Sequence, residues 1–461
     1  MTDDGGVICR LLPRVQPYAW GSLTAMTELL GIPSTGGTMA ELWLGDHPLL
    51  PSLIPKSELN AQGGLDKSTE SDGVVMTVPL DQVLRENPTN WFDPVSQPKG
   101  LPPKGLPPKG FPSKGLRSKG QKSSSLRFLL KVLAIAEPLS LQTHPNNAQA
   151  EAGFDREDAL GIDRTAPNRN YRDPHHKPEL ICALTTMDAL SGFRPVAETL
   201  ALLALLDDPA ARLMSASLSR GIGAAMRDGL NGLVFADGRA STSFGLAARA
   251  AAAQNPEDAL TFGWWAALCD RHPGDGGIAV ATLLHCVRLL PGQALYLGAG
   301  NMHAYLSGVG IEIMANSDNV LRGGLTPKHV DIPELLDVTN AVAGPLPFVL
   351  PVDVSSQIFA SISGSSKLPV DAAAWSCEEW PVPVDDFRLL RASGHSTDPH
   401  NVSIQARPLI ALCTEGEIRL QQGDDGVSLR RGQSAIAGNS KHLLSLSGKG
   451  TVFLATAGLA R

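Results

Sequence analysis

The chain has 461 residues, of which 43% are hydrophobic and 18% charged, with a formal net charge of −7. That length allows more than one domain with a sizeable core, and the negative balance argues against nucleic acid as the main partner. No apolar run approaches the roughly 20 residues needed to cross a bilayer, and the acidic start Met1-Thr2-Asp3-Asp4 lacks the basic and apolar segments of a secretory leader. The six cysteines are scattered without a C-x-x-C pair and read as reduced thiols of a cytoplasmic protein.

Near the N-terminus, Gln16-Pro17-Tyr18-Ala19-Trp20-Gly21 and Ala40-Glu41-Leu42-Trp43-Leu44-Gly45-Asp46-His47-Pro48 are short apolar stretches closed by Gly or Pro. This is the texture of a turn-rich β fold. Glu41 and His47 could reach a site, but a loop carboxylate and a surface imidazole are the preferred readings. Residues 98–120 hold a low-complexity pentapeptide repeat: Pro98-Lys99-Gly100, then LPPKG twice, FPSKG and LRSKG. Pro and Gly at that density build no core, so the stretch reads as a flexible cationic surface loop inserted into a domain.

The apolar run 128–136 predicts a buried strand leading into Pro138-Leu139-Ser140-Leu141-Gln142-Thr143-His144-Pro145. If its alternation continues through Leu141, Gln142 and His144 project to one face and form half of a metal site. After a loop at 170–178, Glu179 opens another apolar strand. A carboxylate at the mouth of a buried strand needs a partner, either a metal or Lys177.

From Pro195 the texture turns Ala/Leu-rich and predicts helices over 196–206, 210–218, 246–253 and 259–269, with Met and Trp as core. Strand texture returns at 293–297. The Gly-rich segment that follows sets His303, Glu312 and Arg322 among short strands at hairpin spacings, so that the three converge. A final segment from about 346 repeats the run from Gly292-Gln293 to His303 as Gly432-Gln433 to His442, differing by one residue. This weak duplication predicts two β-barrels of one kind. The second has no Gln-x-His, so it is expected to hold no catalytic metal and His442 to be structural. Together Gln142, His144, Glu179 and His303 offer two imidazoles, a carboxylate and an amide oxygen, a donor set suited to Zn²⁺ or a similar ion.

The motifs SLQTHP, DPHHKPELICAL, YLGAGNMHAYLSGVGIEIMANSDNVLRGGLTPKH, QPYAWG and AELWLGDHP resemble those of the type I mannose-6-phosphate isomerases. The resemblance covers nearly the whole chain except the LPPKG insert, with a looser match in the helical and C-terminal parts. It implies a mainly β fold of two cupin (jelly-roll) barrels with an inserted α-helical domain. The catalytic barrel would comprise 1–195, with the low-complexity loop 98–125, and 276–345; the helical domain 196–275; and a metal-free cupin barrel 346–461.

The resemblance further implies one Zn²⁺ per chain on Gln142, His144, Glu179 and His303, an active-site arginine at Arg322, and pocket residues Lys131, Ser140, Lys177, Glu312 and Lys328. The implied reaction interconverts D-mannose 6-phosphate and D-fructose 6-phosphate by proton transfer through a cis-enediol. It would feed GDP-mannose synthesis and mannose use, in a protein expected to be a cytoplasmic monomer. Glu312 and Lys177 are rival proton carriers, Glu312 being otherwise a structural partner of Arg322. Ser140, Lys131, Lys177 and Lys328 are the candidates to grip the phosphate.

The departures from the family pattern are His175, where Asn is usual, and the insert. Two other readings stay open. One is a different metal-dependent cupin enzyme, such as an oxygenase using two His and a carboxylate; the dispersed ligands, Gln among them, weigh against it. The other is a non-catalytic sugar-binding bicupin; the set Arg322, Lys177 and Glu312 weighs against that.

Overall fold

The computed structural model describes residues 7–59, 76–92, 125–235, 237–359, 374–404 and 407–458. The pentapeptide repeat at 98–120 lies outside the described residues. The fold is mainly β, as the turn-rich texture predicts, and it is built on an 11-stranded and an 8-stranded sheet.

The larger sheet runs in the order Phe348–Val349, Ala294–Leu297, Glu179–Ala183, His303–Ala315, Phe128–Ile135, Glu41–Leu44 and Arg14–Gln16. Gln142–Thr143, Met187–Phe193, Leu284–Leu289 and Leu321–Arg322 join it off that path. The smaller sheet is drawn from the C-terminal chain with one exception. Ile8–Leu11 pairs with Ser434–Ala437, so the first described strand lies in the C-terminal sheet.

Alternation along the buried strands decides which face carries function. Phe128, Leu130, Val132 and Ala134 pack into a core shared with Leu412 and Phe453 of the smaller sheet and with Trp380 just past its strand Trp375–Glu379. Leu180 and Cys182 on one neighbouring strand, and Ile311 and Ile313 on another, join the same core. Each such large side chain contributes about 1.5–3 kcal/mol by leaving water. Because strand side chains alternate, Lys131, Glu179 and Glu312 are turned to the opposite face.

The first of these strands ends at Ile135, and the chain then bends through Ala136 and Glu137 to Pro138. The expected continuation through Leu141 therefore does not occur. Gln142–Thr143 is a separate two-residue strand, paired with His303 on one side and Leu321–Arg322 on the other.

The region expected to be helical, 196–275, holds Val196–Ala204, Pro209–Leu218, Ile222–Leu230, Gly238–Gln254 and Ala259–Arg271, and a further helix, Gly277–Leu283, lies beyond its expected end. The helix expected at 246–253 begins at Gly238, because the Asp237 carboxylate caps it by accepting from the Arg239 and Ala240 N–H groups at 3.0 Å. Ile222–Leu230 and Gly277–Leu283 have glycines that lower their intrinsic helix propensity. Packing overrides it: a Cβ on Gly229 would lie 2.3 Å from the Ala279 Cβ, so glycine is what lets these two helices touch. Met214, Met226 and Trp265 are fully buried here, as expected of core residues.

Candidate active site

Two rows of residues, each in register across three adjacent strands, lay out the site. In the first, His303 stands opposite Gln142, and Gln142 opposite Arg322. In the second, Glu312 stands opposite Lys131, and Lys131 opposite Trp43. Side chains so placed start about 4.5–5.5 Å apart at Cβ. Both rows border one cleft of about 720 Å³.

His303 and Glu312 occupy a single strand, His303–Ala315, and not the hairpin arms expected from their spacing. They are an odd number of positions apart, which would send them to opposite faces. A register shift between Tyr305 and Ser307, with Gly308 at φ 104°, resets the alternation so that both reach the cleft. A Cβ at Gly308 would lie 2.5 Å from the Thr186 carbonyl oxygen, so only glycine fits the bulge.

Glu179 and His303 line the cleft, and His144 is buried beside them. His144 donates its Nδ1–H to the Asn319 carbonyl at 2.8 Å, and His303 its Nδ1–H to the Asn301 carbonyl at 3.0 Å. A carbonyl only accepts, so in the neutral ring the proton sits on Nδ1 and Nε2 carries the lone pair. Glu179 faces both: Oε1 lies 3.3 Å from His144 Nε2, and Oε2 3.4 Å from His303 Nε2. All three ligand atoms lie within 4.8 Å of one another, and all three residues are buried.

Burial pushes the His144 imidazole down to about 4, against the pull of Glu179. Burial opposes ionisation of Glu179, yet His144 and Lys177 beside it hold its carboxyl well below the usual range. His144 and Glu179 are therefore deprotonated, with electron pairs pointed at one another. His144 Nε2 is buried with no hydrogen-bond partner among the described residues. Such a set fits a divalent cation, which would relieve that repulsion. Gln142, in register with His303 and bordering the same cleft, can add a neutral amide oxygen.

Beside this set lies a buried cluster of opposite charges. Lys131 Nζ is 3.4 Å from Glu312 Oε2 and 3.7 Å from Glu41 Oε2, and Tyr305 donates its hydroxyl to Glu312 at 3.0 Å. Burial alone would lower the Lys131 ammonium, but Glu41, Glu312 and Glu179 hold it above the ordinary lysine range. Burial, reinforced by Glu179, raises Glu312 above its ordinary value of 4.5. The alternative reading of Glu312 as a structural partner of Arg322 gives way to this pair with Lys131. Lys177 Nζ lies 3.2 Å from Glu179 Oε1.

Arg322 is half-buried near the cleft mouth, with Lys328 and Arg172 exposed there and Ser140 also on the lining. Burial, and then the neighbouring Arg172, lower the Arg322 guanidinium. Burial, Arg322 and Arg172 lower Lys328 in the same way. Three cations crowd one rim.

Sequence reasoning missed Arg172 and preferred the wrong setting for Glu41 and His47. Arg172 sits in the Asn170-Tyr171-Arg172 loop, where no periodicity marks it. Glu41 is a buried residue of the strand Glu41–Leu44, not a loop carboxylate, and its oxygen accepts from Trp43 Nε1 at 2.5 Å. The alternation Glu41-Leu42-Trp43-Leu44 was the available signal, since Leu42 and Leu44 face the shared core. His47 is not a surface imidazole: it is buried, with Nε2 3.3 Å from Asp318.

A mainly β chain with a buried His–Glu–His set beside a cation-rimmed cleft has the form of a metal-dependent enzyme. Comparison with known proteins narrows that class. Residues 113–196 match the family model for the catalytic domain of type I phosphomannose isomerase. The mannose-6-phosphate isomerase of Salmonella typhimurium is 34% identical over 446 residues, spanning 96% of this chain and 97% of the relative. That of Escherichia coli (strain K12) is 33% identical over 458 residues, with the same coverage. A crystal structure of the Salmonella typhimurium enzyme bound to its substrate f6p and to zinc superposes with a TM-score of 0.74 at 31% identity, covering 98% of this chain and 100% of that one. The chain belongs to the type I mannose-6-phosphate isomerase family.

Proposed function

We propose that this protein interconverts D-mannose 6-phosphate and D-fructose 6-phosphate, with one Zn²⁺ held by Gln142, His144, Glu179 and His303. The observation that carries the reading is the pair of imidazole Nε2 atoms that face the Glu179 carboxylate, all within 4.8 Å of one another. When bound there, the ion would polarise a substrate carbonyl and stabilise charge on the neighbouring oxygen, worth several kcal/mol.

The remaining chemistry belongs to the side chains. Glu312 is assigned the carbon-bound proton: it takes the proton from C2 of the open-chain aldose and returns it to C1. O1 gains a proton as the cis-enediol forms, and O2 loses one as the ketone forms. A carboxylate raised towards neutrality is better matched to this transfer than an ordinary one. Lys131, held in its charged form, has no lone pair to accept that proton; it orients Glu312 and can donate to a substrate oxygen. Lys177 is the rival carrier. Arg322 supplies a permanent cation where oxygen charge develops, without competing for the proton. Lys328 and Ser140, with Arg172, are assigned to the phosphate, because a dianion relieves the mutual repulsion of the rim.

In this reading the larger sheet forms a cupin barrel from 1–195 and 276–345, with 196–275 as an inserted helical domain. Residues 346–461 form the second, metal-free barrel, to which Ile8–Leu11 contributes a strand. The protein acts as a cytoplasmic monomer serving GDP-mannose synthesis and mannose use.

The test is turnover of mannose 6-phosphate by purified protein before and after chelation, with zinc add-back. Activity that dies with chelator and returns with zinc supports the assignment. Oxygen uptake would favour a cupin oxygenase, and sugar binding without turnover a non-catalytic bicupin.

A further inference from the structure

Asn319 touches one ligand residue, His144, and the loop that leads to another, Glu179, without belonging to the set. Its backbone carbonyl accepts the His144 Nδ1–H at 2.8 Å. Its side chain, fully buried, grips the loop that delivers Lys177 and Glu179. Oδ1 accepts from the Arg172 and Asp173 backbone N–H groups at 2.7 and 3.2 Å; Nδ2 donates to the Asp173 and His175 carbonyls at 2.7 and 2.8 Å. Both lone pairs and both N–H groups of the amide are thus engaged.

The loop returns the grip. The Asp173 carboxylate accepts from Ser317 Oγ at 2.9 and 3.1 Å and from the Asp318 N–H at 2.8 Å. It also accepts from the His175 N–H at 3.0 Å, which closes the turn from its own side. Ser317 is buried, so these bonds form where water does not compete.

We propose that Asn319 and Asp173 form a clamp that sets zinc affinity, by fixing the His144 tautomer and orientation and the position of the Glu179 loop in one structure. Asn319 is a positioning residue. Its side chain holds its own carbonyl in place for His144 while it holds the 172–175 backbone from which Glu179 is hung. The inference rests on the metal reading of His144, Glu179 and His303.

Two variants separate the clamp from simple packing. Asn319→Asp keeps the shape and the accepting oxygen but turns the donating nitrogen into an oxygen facing two carbonyls. Ser317→Ala removes the hydroxyl that donates to the Asp173 carboxylate and the His175 carbonyl and accepts the Asn319 N–H. Glu379→Gln, which breaks the Arg388–Glu379 pair of the smaller sheet at 2.9 and 2.6 Å, is the control for general destabilisation.

The zinc dissociation constant is measured by competition with a chromophoric chelator, alongside the melting temperature of the metal-free proteins. Asn319→Asp is expected to bind zinc about 10–100-fold more weakly, the usual cost of losing support around a metal ligand, and Ser317→Ala several-fold more weakly. The control should melt lower yet bind zinc as the parent does. Unchanged zinc affinity in folded Asn319→Asp and Ser317→Ala overturns the clamp. If Asn319→Asp does not fold, Ser317→Ala decides alone. A parent protein that fails to bind zinc overturns the metal reading instead.

Discussion

Lys131 and Glu312 stand directly opposite one another on neighbouring antiparallel strands, with 3.4 Å between Nζ and Oε2. Opposite charges paired in a buried place hold each other's orientation, and breaking such a pair by removing one charge is costly. Here the pair also divides labour, since the lysine stays protonated while the carboxyl is raised. Glu312→Gln keeps the shape and an oxygen for Tyr305, and leaves Glu41 as counter-charge for Lys131. It is expected to lower kcat by about 10²–10⁴-fold, the usual contribution of a positioned acid–base group, with the fold retained. Steady-state kinetics on the folded variant checks this; a near-normal kcat would move the proton transfer to Lys177.

The same assignment fixes a pH dependence. Glu312 acts as base only when ionised, and its value in the folded protein lies above 4.5. Activity is therefore expected to be lost as pH falls through that raised value, earlier than for an ordinary glutamate. The acid limb of the kcat/KM profile reports it, and that limb should vanish from the residual activity of Glu312→Gln.

Arg322 is in register with Gln142 and half-buried at the cleft. Removing a donor aimed at developing oxygen charge costs about 10²–10³-fold in kcat. Arg322→Ala is expected to fall in that range while melting close to the parent, because the guanidinium lies on the cleft lining and not in a core. Near-normal turnover would take it out of the mechanism.

Away from the cleft, Asp46 is a buried carboxyl pushed up to about 6 by burial, even though it accepts the Leu126 N–H at 2.9 Å. Its value is raised on folding, so the folded state prefers it protonated. Stability then falls as pH rises from about 4 to about 6, by about 3 kcal/mol at roughly 1.4 kcal/mol per unit. Asp46→Asn, which keeps an acceptor for Leu126, is expected to melt higher than the parent at pH 7 and to lose that advantage near pH 4. Thermal melts at the two pH values check the sign.

The pentapeptide repeat supplies no core residue by composition. Replacing 98–120 with a short Gly-Ser linker is expected to leave kcat/KM almost intact. A large loss in the linker variant would make the repeat part of the substrate's path.

Chemistry that depends on residue type was legible along the chain. The ligand candidates Gln142, His144, Glu179 and His303 stand out because a metal needs imidazole and carboxylate donors, and buried polar groups need a reason. The helical block was legible too, except where Gly223, Gly229, Gly276 and Gly277 depress local propensity and a close helix contact restores it. The strand expected to run on through Leu141 failed at the bend before Pro138, a local signal that alternation alone does not weigh.

What the sequence by itself determined, then, was the inventory: which groups can bind a metal, carry a proton or grip an anion, and which runs must be buried. The tertiary structure decided the partners. Glu312 pairs with Lys131 and not Arg322, Glu41 joins them from a strand, Arg172 joins the rim, and the Gly308 bulge brings His303 and Glu312 to one face. The physical reason is register. Alternation within a strand is a local property, but which residue of a distant strand stands opposite is set by the packing of whole sheets on a shared core.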